Sequence, residues 1–110
     1  IAFNIELAEK SGIKIKELRS VGGGAKSDYW LQLKSSVVNK PIKRMKITEA
    51  GCLATMILAG SGTGKFNISE AISNFVKVDK QFYPDENIRQ KYLEGFNKYK
   101  KIYSAVSKIY

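Results

Sequence analysis

The sequence predicts an α/β fold built on a parallel strand pair, with a sheet that is incomplete within this chain. Three observations predict it. The apolar spacing reads helix, strand, helix, strand, helix and then two further helices, the alternation of βαβ units. The first strand runs through Ser20 and Val21 into three glycines, Gly22, Gly23 and Gly24, and then into a helix that Ser27 or Asp28 can cap. Two strands are too few for a parallel sheet, which is normally covered on both faces and extended on both edges, so further strands are expected outside this chain.

Residues 1–12 have helical composition, with Gly12 placed as a terminator; nothing caps the front and no initiator methionine precedes Ile1. The chain therefore reads as a fragment of a larger protein. Residues 13–21 read as a strand, in which Ile13 and Ile15 alternate with Lys14 and Lys16 before Leu18 and Val21 mark a change of parity near Glu17. The glycine turn occupies 22–27. Helix 27–39 follows, amphipathic, with Trp30, Leu31, Leu33, Val37 and Val38 at steps of three and four, and Asn39 and Pro41 stop it. Residues 42–47 read as the second strand.

Thr48 is the expected N-cap of helix 48–60, whose small and almost wholly apolar residues predict burial on all sides. Gly51, Ala54, Ala59 and Gly60 would let a neighbouring backbone approach it closely. From Gly60 to Phe66 the chain reads as a flexible connection. A Walker A loop would need glycine at 59 and serine or threonine at 66, where Ala59 and Phe66 stand. A short capped helix at 69–76, a turn at 82–85 and a long helix at 86–110 complete the chain. The last helix carries Ile88, Tyr92, Phe96, Tyr99, Tyr103, Val106 and Tyr110 in helical progression, the pattern of a face packed on the domain with lysines left in water.

With 110 residues, 44% hydrophobic and 26% charged, the chain has room for one domain at most. No apolar run approaches the roughly 20 residues of a membrane span, and no signal-peptide pattern is present, so a soluble cytoplasmic protein with no membrane partner is expected. Cys52 is the single cysteine and there is no histidine, which excludes an internal disulfide, Cys/His zinc ligation and Cys/His or Ser/His nucleophile systems within this chain. No residue is nominated as catalytic or metal-binding. The net charge of +9 comes from lysines scattered beside core-type positions, as on a solvated face, and no nucleic-acid partner is expected. The residues alone leave the glycine turn open between a tight strand-to-helix connection and a loop that a phosphate or nucleotide approaches.

Five ordered pieces carry a more specific signal. They are Gly22-Gly23-Gly24-Ala25-Lys26-Ser27, then Trp30 and Gln32, Asn39-Lys40-Pro41-Ile42, Glu49-Ala50-Gly51-Cys52-Leu53-Ala54, and Gly62-Thr63-Gly64. In order and spacing they resemble the C-terminal part of the FGGY-family carbohydrate kinases, and the xylulokinase-like members in particular. The opening Ile1-Ala2-Phe3-Asn4 and the closing Tyr92, Tyr99 and Tyr103 fit the same pattern.

The resemblance implies a partial ribonuclease-H-like domain, the second of two in an actin-like ATPase with the nucleotide in the cleft between them. It implies a parent protein that moves the γ-phosphoryl group of ATP to a hydroxyl of xylulose or a related sugar, using ATP and Mg2+. By resemblance, Gly23, Gly24, Ala25, Ser27 and Asp28 bind ATP. The two glycines let the nucleotide lie against the backbone, Ala25 keeps that approach open, and Asp28, with Ser27, faces the adenine. Glu49 and its helix support the loop from below. The aspartate base and the sugar pocket belong to the first domain, so this chain alone is expected to be catalytically inert.

The chain departs from the family pattern at Ser35-Ser36, often Ala-Asp, and at Leu53-Ala54-Thr55-Met56, often Leu-Gly-Ala-Ala, where the added bulk implies altered helix packing. Asp28 stands where some relatives have Asn, and a carboxylate cannot donate a hydrogen bond as an amide can. Two readings from other classes are a small basic module that binds nucleic acid through residues 92–110, and a homo-oligomer that pairs through an exposed strand edge.

Overall fold

Local signals account for where most helices begin and end. The computed structural model describes residues 1–107. Its elements are α1 (Ala2–Lys10), β1 (Leu18–Ser20), a 3-10 turn (Gly23–Lys26), α2 (Asp28–Val38), β2 (Ile42–Met45), α3 (Ala50–Gly62), α4 (Ile68–Phe75), β3 (Val78–Phe82) and α5 (Glu86–Val106). The Ser27 hydroxyl accepts from the Trp30 N–H at 3.2 Å and starts α2, and Asn39, at φ 53° and ψ 42°, ends it in the left-handed region. Gly12 closes α1 at φ +89°. Asn67 caps α4 through the Glu70 N–H, and Asp85 Oδ1 accepts from the N–H groups of Asn87 and Ile88 at the start of α5.

The sheet has the order β1-β2-β3. β1 and β2 run parallel in the register Leu18↔Ile42, Arg19↔Lys43 and Ser20↔Arg44, joined through the glycine turn and α2. β3 returns antiparallel to β2, with Ile42 opposite Phe82 and Arg44 opposite Lys80. Met45 then pairs with Val78, so Asp79 is an extra residue, a β-bulge between Arg44 and Met45.

The core forms where α2 meets the sheet. Leu31 and Val38 of α2 pack with Ile42 and Phe82, and Ala2, Ile5 and Leu18 close the cluster from α1 and β1. Ser35 and Ser36 are fully buried on the same helix. Ser35 Oγ donates to the carbonyls of Lys40 and Phe82, at 2.8 and 3.1 Å, and Ser36 Oγ donates to Gln32 O while accepting from the Asp85 N–H. The serine pair that departs from the family pattern thus ties α2 to the end of β3 and the start of α5, and no buried side-chain polar atom among the described residues lacks a partner. α5 packs along α2 and touches α1 through the Phe3–Tyr99 ring pair and a Lys100–Glu6 contact of 3.2 Å.

Several expectations require correction. The first strand does not span 13–21 but only Leu18–Ser20, because residues 13–17 have no neighbouring strand to pair with among the described residues. β3 has no counterpart in the sequence reading. Helix 48–60 is not buried on all sides: only Ile57 and Gly60 are, while Leu58 and Met56 are exposed, because among the described residues α4 is the element that packs closely along it. Thr55 and Met56 therefore point outward, where their bulk meets little. Thr48 does not cap this helix; Glu49 occupies the cap position, without a side-chain hydrogen bond. The connection after Gly60 is ordered. α3 continues through Gly62, Gly64 turns at φ +71°, and the Phe66 ring folds back on Gly60 and against Phe75. Of the four small residues expected to admit a close approach, Gly60 does so, whereas Gly51 faces open space. On α5, Tyr92 and Tyr99 stay half exposed around a cavity of about 420 Å3 between α1, α2 and α5, and Tyr110 lies outside the described residues.

Two substitutions probe this packing. Ser35→Ala leaves the Lys40 and Phe82 carbonyls without their donor and is expected to lower unfolding free energy in urea by about 1–3 kcal/mol. Gly60→Ala places a methyl 2.2 Å from the Phe66 ring and should cost about 1–3 kcal/mol in the same assay, while Gly62→Ala, with nothing within 4 Å, should cost nothing.

Candidate nucleotide site

β1 ends at Ser20, and the chain turns out of the sheet at Gly22, whose φ of +82° is a conformation that side-chain-bearing residues rarely adopt. The Gly22 N–H donates to Thr48 O at 2.7 Å, and the Ala25 N–H donates to Gly22 O at 3.0 Å, closing the short 3-10 turn. The loop is therefore held from below by the backbone between β2 and α3, and not by the Glu49 side chain, which is exposed.

Gly23 and Gly24 are different. Both are exposed and neither has a positive φ. A Cβ on Gly23 would meet nothing within 4 Å, and one on Gly24 would sit 3.7 Å from Trp30 Cδ1, an ordinary contact. Nothing inside the fold explains why these two residues lack side chains. Ala25, by contrast, is fully buried, so its methyl group packs inward while the outer side of the turn is left to the glycines. Beside the turn, the Lys34 ammonium lies 4.9 Å from the centre of the Trp30 ring.

Ser27 and Asp28 lie at the helix end of the same turn. The Ser27 hydroxyl is engaged in capping. Asp28 Oδ1 accepts from Arg44 Nη1 and Oδ2 from Lys80 Nζ, both at 2.6 Å, and Arg44 Nε donates to Asp79 Oδ2, also at 2.6 Å. These four residues come from α2, β2 and β3, and the Phe82 ring lies under both cations. The Lys80 and Arg44 contacts, in that order, hold the Asp28 carboxyl below its ordinary value, and Asp79 followed by Asp28 raises the Arg44 guanidinium. Arg44, Lys80 and Asp79 have no motif signature. They meet because the β2–β3 register places them together, which only the paired strands define. Among the described residues no three His, Cys, Asp or Glu side chains come together.

The glycine turn thus leads from a strand to a capped helix, both packed on a mixed sheet. Residues 2–63 match the FGGY family of carbohydrate kinases, C-terminal domain. A xylulose kinase of Staphylococcus epidermidis is 34% identical over 107 residues, covering 96% of this chain and 22% of the relative. The crystal structure of a ligand-bound xylulose kinase from Lactobacillus acidophilus superposes with a TM-score of 0.73 at 32% identity, over 97% of this chain and 23% of that one. The glycerol kinase of Plasmodium falciparum with ADP gives 0.69 at 25% identity, over 90% and 20%. This chain belongs to the FGGY family of carbohydrate kinases, within the C-terminal domain. It spans about a fifth of the length of these relatives.

The ion pairs carry a pH signature. Because the Asp28 carboxyl is depressed in the folded state, its contribution to stability is complete above the unfolded value of about 4 and is lost as pH falls through the folded value. Glu6, lowered by Lys10 and then Lys100, and Glu17, lowered by Lys43, act in the same direction. Urea denaturation should show less loss for Asp28→Asn than for the wild type between about pH 5 and pH 3. Equal losses would exclude Asp28 as a contributor.

Proposed function

We propose that this chain is the adenosine side of an ATP-dependent sugar kinase, with Gly23, Gly24, Ala25, Ser27 and Asp28 forming the wall on which the nucleoside lies. The observation that carries the reading is the pair Gly23 and Gly24. Glycine costs backbone entropy in any regular turn, and here neither φ nor internal packing calls for it. A ligand lying on the backbone does. Ala25 supports that surface from within, Ser27 fixes the start of α2, and Asp28 borders the site with an acceptor-only group.

The xylulose kinase relative and structure favour xylulose or a related sugar as the acceptor, and the ADP in the glycerol kinase structure favours ATP as the donor. The reaction class is phosphoryl transfer, in which ATP travels with Mg2+, and catalysis consists of positioning and charge stabilisation together with a base at the sugar hydroxyl. This chain contributes the positioning of the donor. The base and the sugar pocket lie in the N-terminal domain of the whole protein, so the isolated chain binds nucleotide weakly and turns over nothing. The setting of that chemistry is the cytoplasm.

Gly24→Ala separates ligand contact from folding. Its methyl fits without moving Trp30, so thermal stability should hold while ADP affinity, measured by calorimetry on the intact protein, falls about tenfold, a loss near 1.4 kcal/mol. Unchanged affinity would remove the glycine pair as a nucleotide surface. Xylulose-dependent ADP production by the intact protein, absent for the isolated chain, tests the division of labour between the two domains.

A further inference from the structure

The bulge on β3 has a specific effect. In an unbroken antiparallel ladder the residue before Lys80, Asp79, would face Met45, on the opposite side of the sheet from Arg44. Here Val78 pairs with Met45, and the extra residue, Asp79, reaches the Arg44 guanidinium instead. That contact takes Nε, and the remaining edge of the fork, Nη1, holds Asp28 at the first residue of α2. The Arg44 side chain is 18% exposed and lies over the Phe82 ring, while Asp28 and Lys80 are each 51% exposed.

Ion pairs with partners this exposed add little to stability. A planar guanidinium gripped at both ends and backed by an aromatic ring nonetheless has one orientation, which a single ammonium would not have. Asp28 follows the 3-10 turn after one intervening residue, Ser27. Its tether to β2 therefore sets where the turn ends, just as the Gly22–Thr48 hydrogen bond sets where it begins.

We propose that Arg44 is a positioning residue for the nucleotide loop, a strut from the central strand that fixes the outgoing end of Gly23–Ser27 through Asp28 and is itself aimed by the bulged Asp79. Arg44 touches no nucleotide and acts through the backbone it holds. The inference rests on the adenosine reading given above.

The test uses the intact protein and three variants. Arg44→Met removes the strut, Arg44→Lys keeps a cation for Asp28, and Gly60→Ala perturbs α3 on the far side of the sheet. Arg44→Met should weaken ADP binding about tenfold with little change in melting temperature, since displacing a binding surface by even 1 Å is costly to ligand geometry. Arg44→Lys, which keeps a cation for Asp28 but not the two-ended grip, should recover only part of that loss. Gly60→Ala should do the opposite, losing stability and keeping affinity. The amide resonances of Gly23, Gly24 and Ala25 should move in Arg44→Met and stay in place in Gly60→Ala. Wild-type ADP affinity in a folded Arg44→Met protein overturns the proposal, as does an affinity loss in Gly60→Ala equal to that in Arg44→Met. If the wild type binds no ADP, the adenosine reading fails, and loop resonances that do not move in Arg44→Met then overturn the strut by themselves.

Discussion

The burial of α2 on the sheet is the constraint on which the remainder depends. Leu31 and Val38 supply its apolar contact, with Ile42 and Phe82 beneath them. A three-stranded sheet with one well-packed helix leaves little apolar margin, and two of the buried helix positions are spent on serine. Those hydroxyls bind backbone groups where the elements end: Ser35 donates to the carbonyls of Lys40 and Phe82, and Ser36 accepts from the N–H of Asp85. An alanine pair would pack in the same space and orphan the ends of β3 and the loops around it.

The glycine turn inherits its geometry from this arrangement. Both of its ends are fixed to the β2 side of the molecule, at Thr48 by the backbone and at Arg44 by a side chain. Between them the outer surface carries no side chains at 23 and 24. A surface of this kind is rigid because its edges are held, and approachable because its middle is bare. The two properties come from different residues, so they can be altered separately.

How much of this was legible in the sequence depends on whether the signal is local. The caps are local: Ser27, Asn39 and Gly12 read directly as helix boundaries. The parallel pair was legible because a strand, a glycine turn, a capped helix and a second strand leave few topologies to choose between. The site residues from Gly23 to Asp28 lie together because they are contiguous, which needed no folding to see. β3 was missed although Val76, Val78 and Phe82 keep an alternating apolar parity, because Lys77, Asp79 and Lys80 make the stretch read as solvated. The strut could not be read at all, since Arg44, Asp79 and Lys80 meet only once a bulge has set the register. Helix 48–60 misled for a different reason. Its composition states what the helix prefers, and burial further requires something to lie against it.

That outward face of α3 has a consequence for the life of the polypeptide. The Cα radius of gyration is 17.8 Å, against about 13 Å for a compact domain of this length, and Leu58 and Met56 lie exposed on α3 with Ile68 and Ile72 exposed on α4. To a cellular quality-control system such a surface is indistinguishable from that of a folding intermediate, and holdases and proteases act on exposed apolar helices regardless of how well the neighbouring core is made. Recognition of this chain by such systems therefore turns on whether the apolar faces of α3 and α4 are covered, and not on how well Leu31, Val38, Ile42 and Phe82 pack beneath α2.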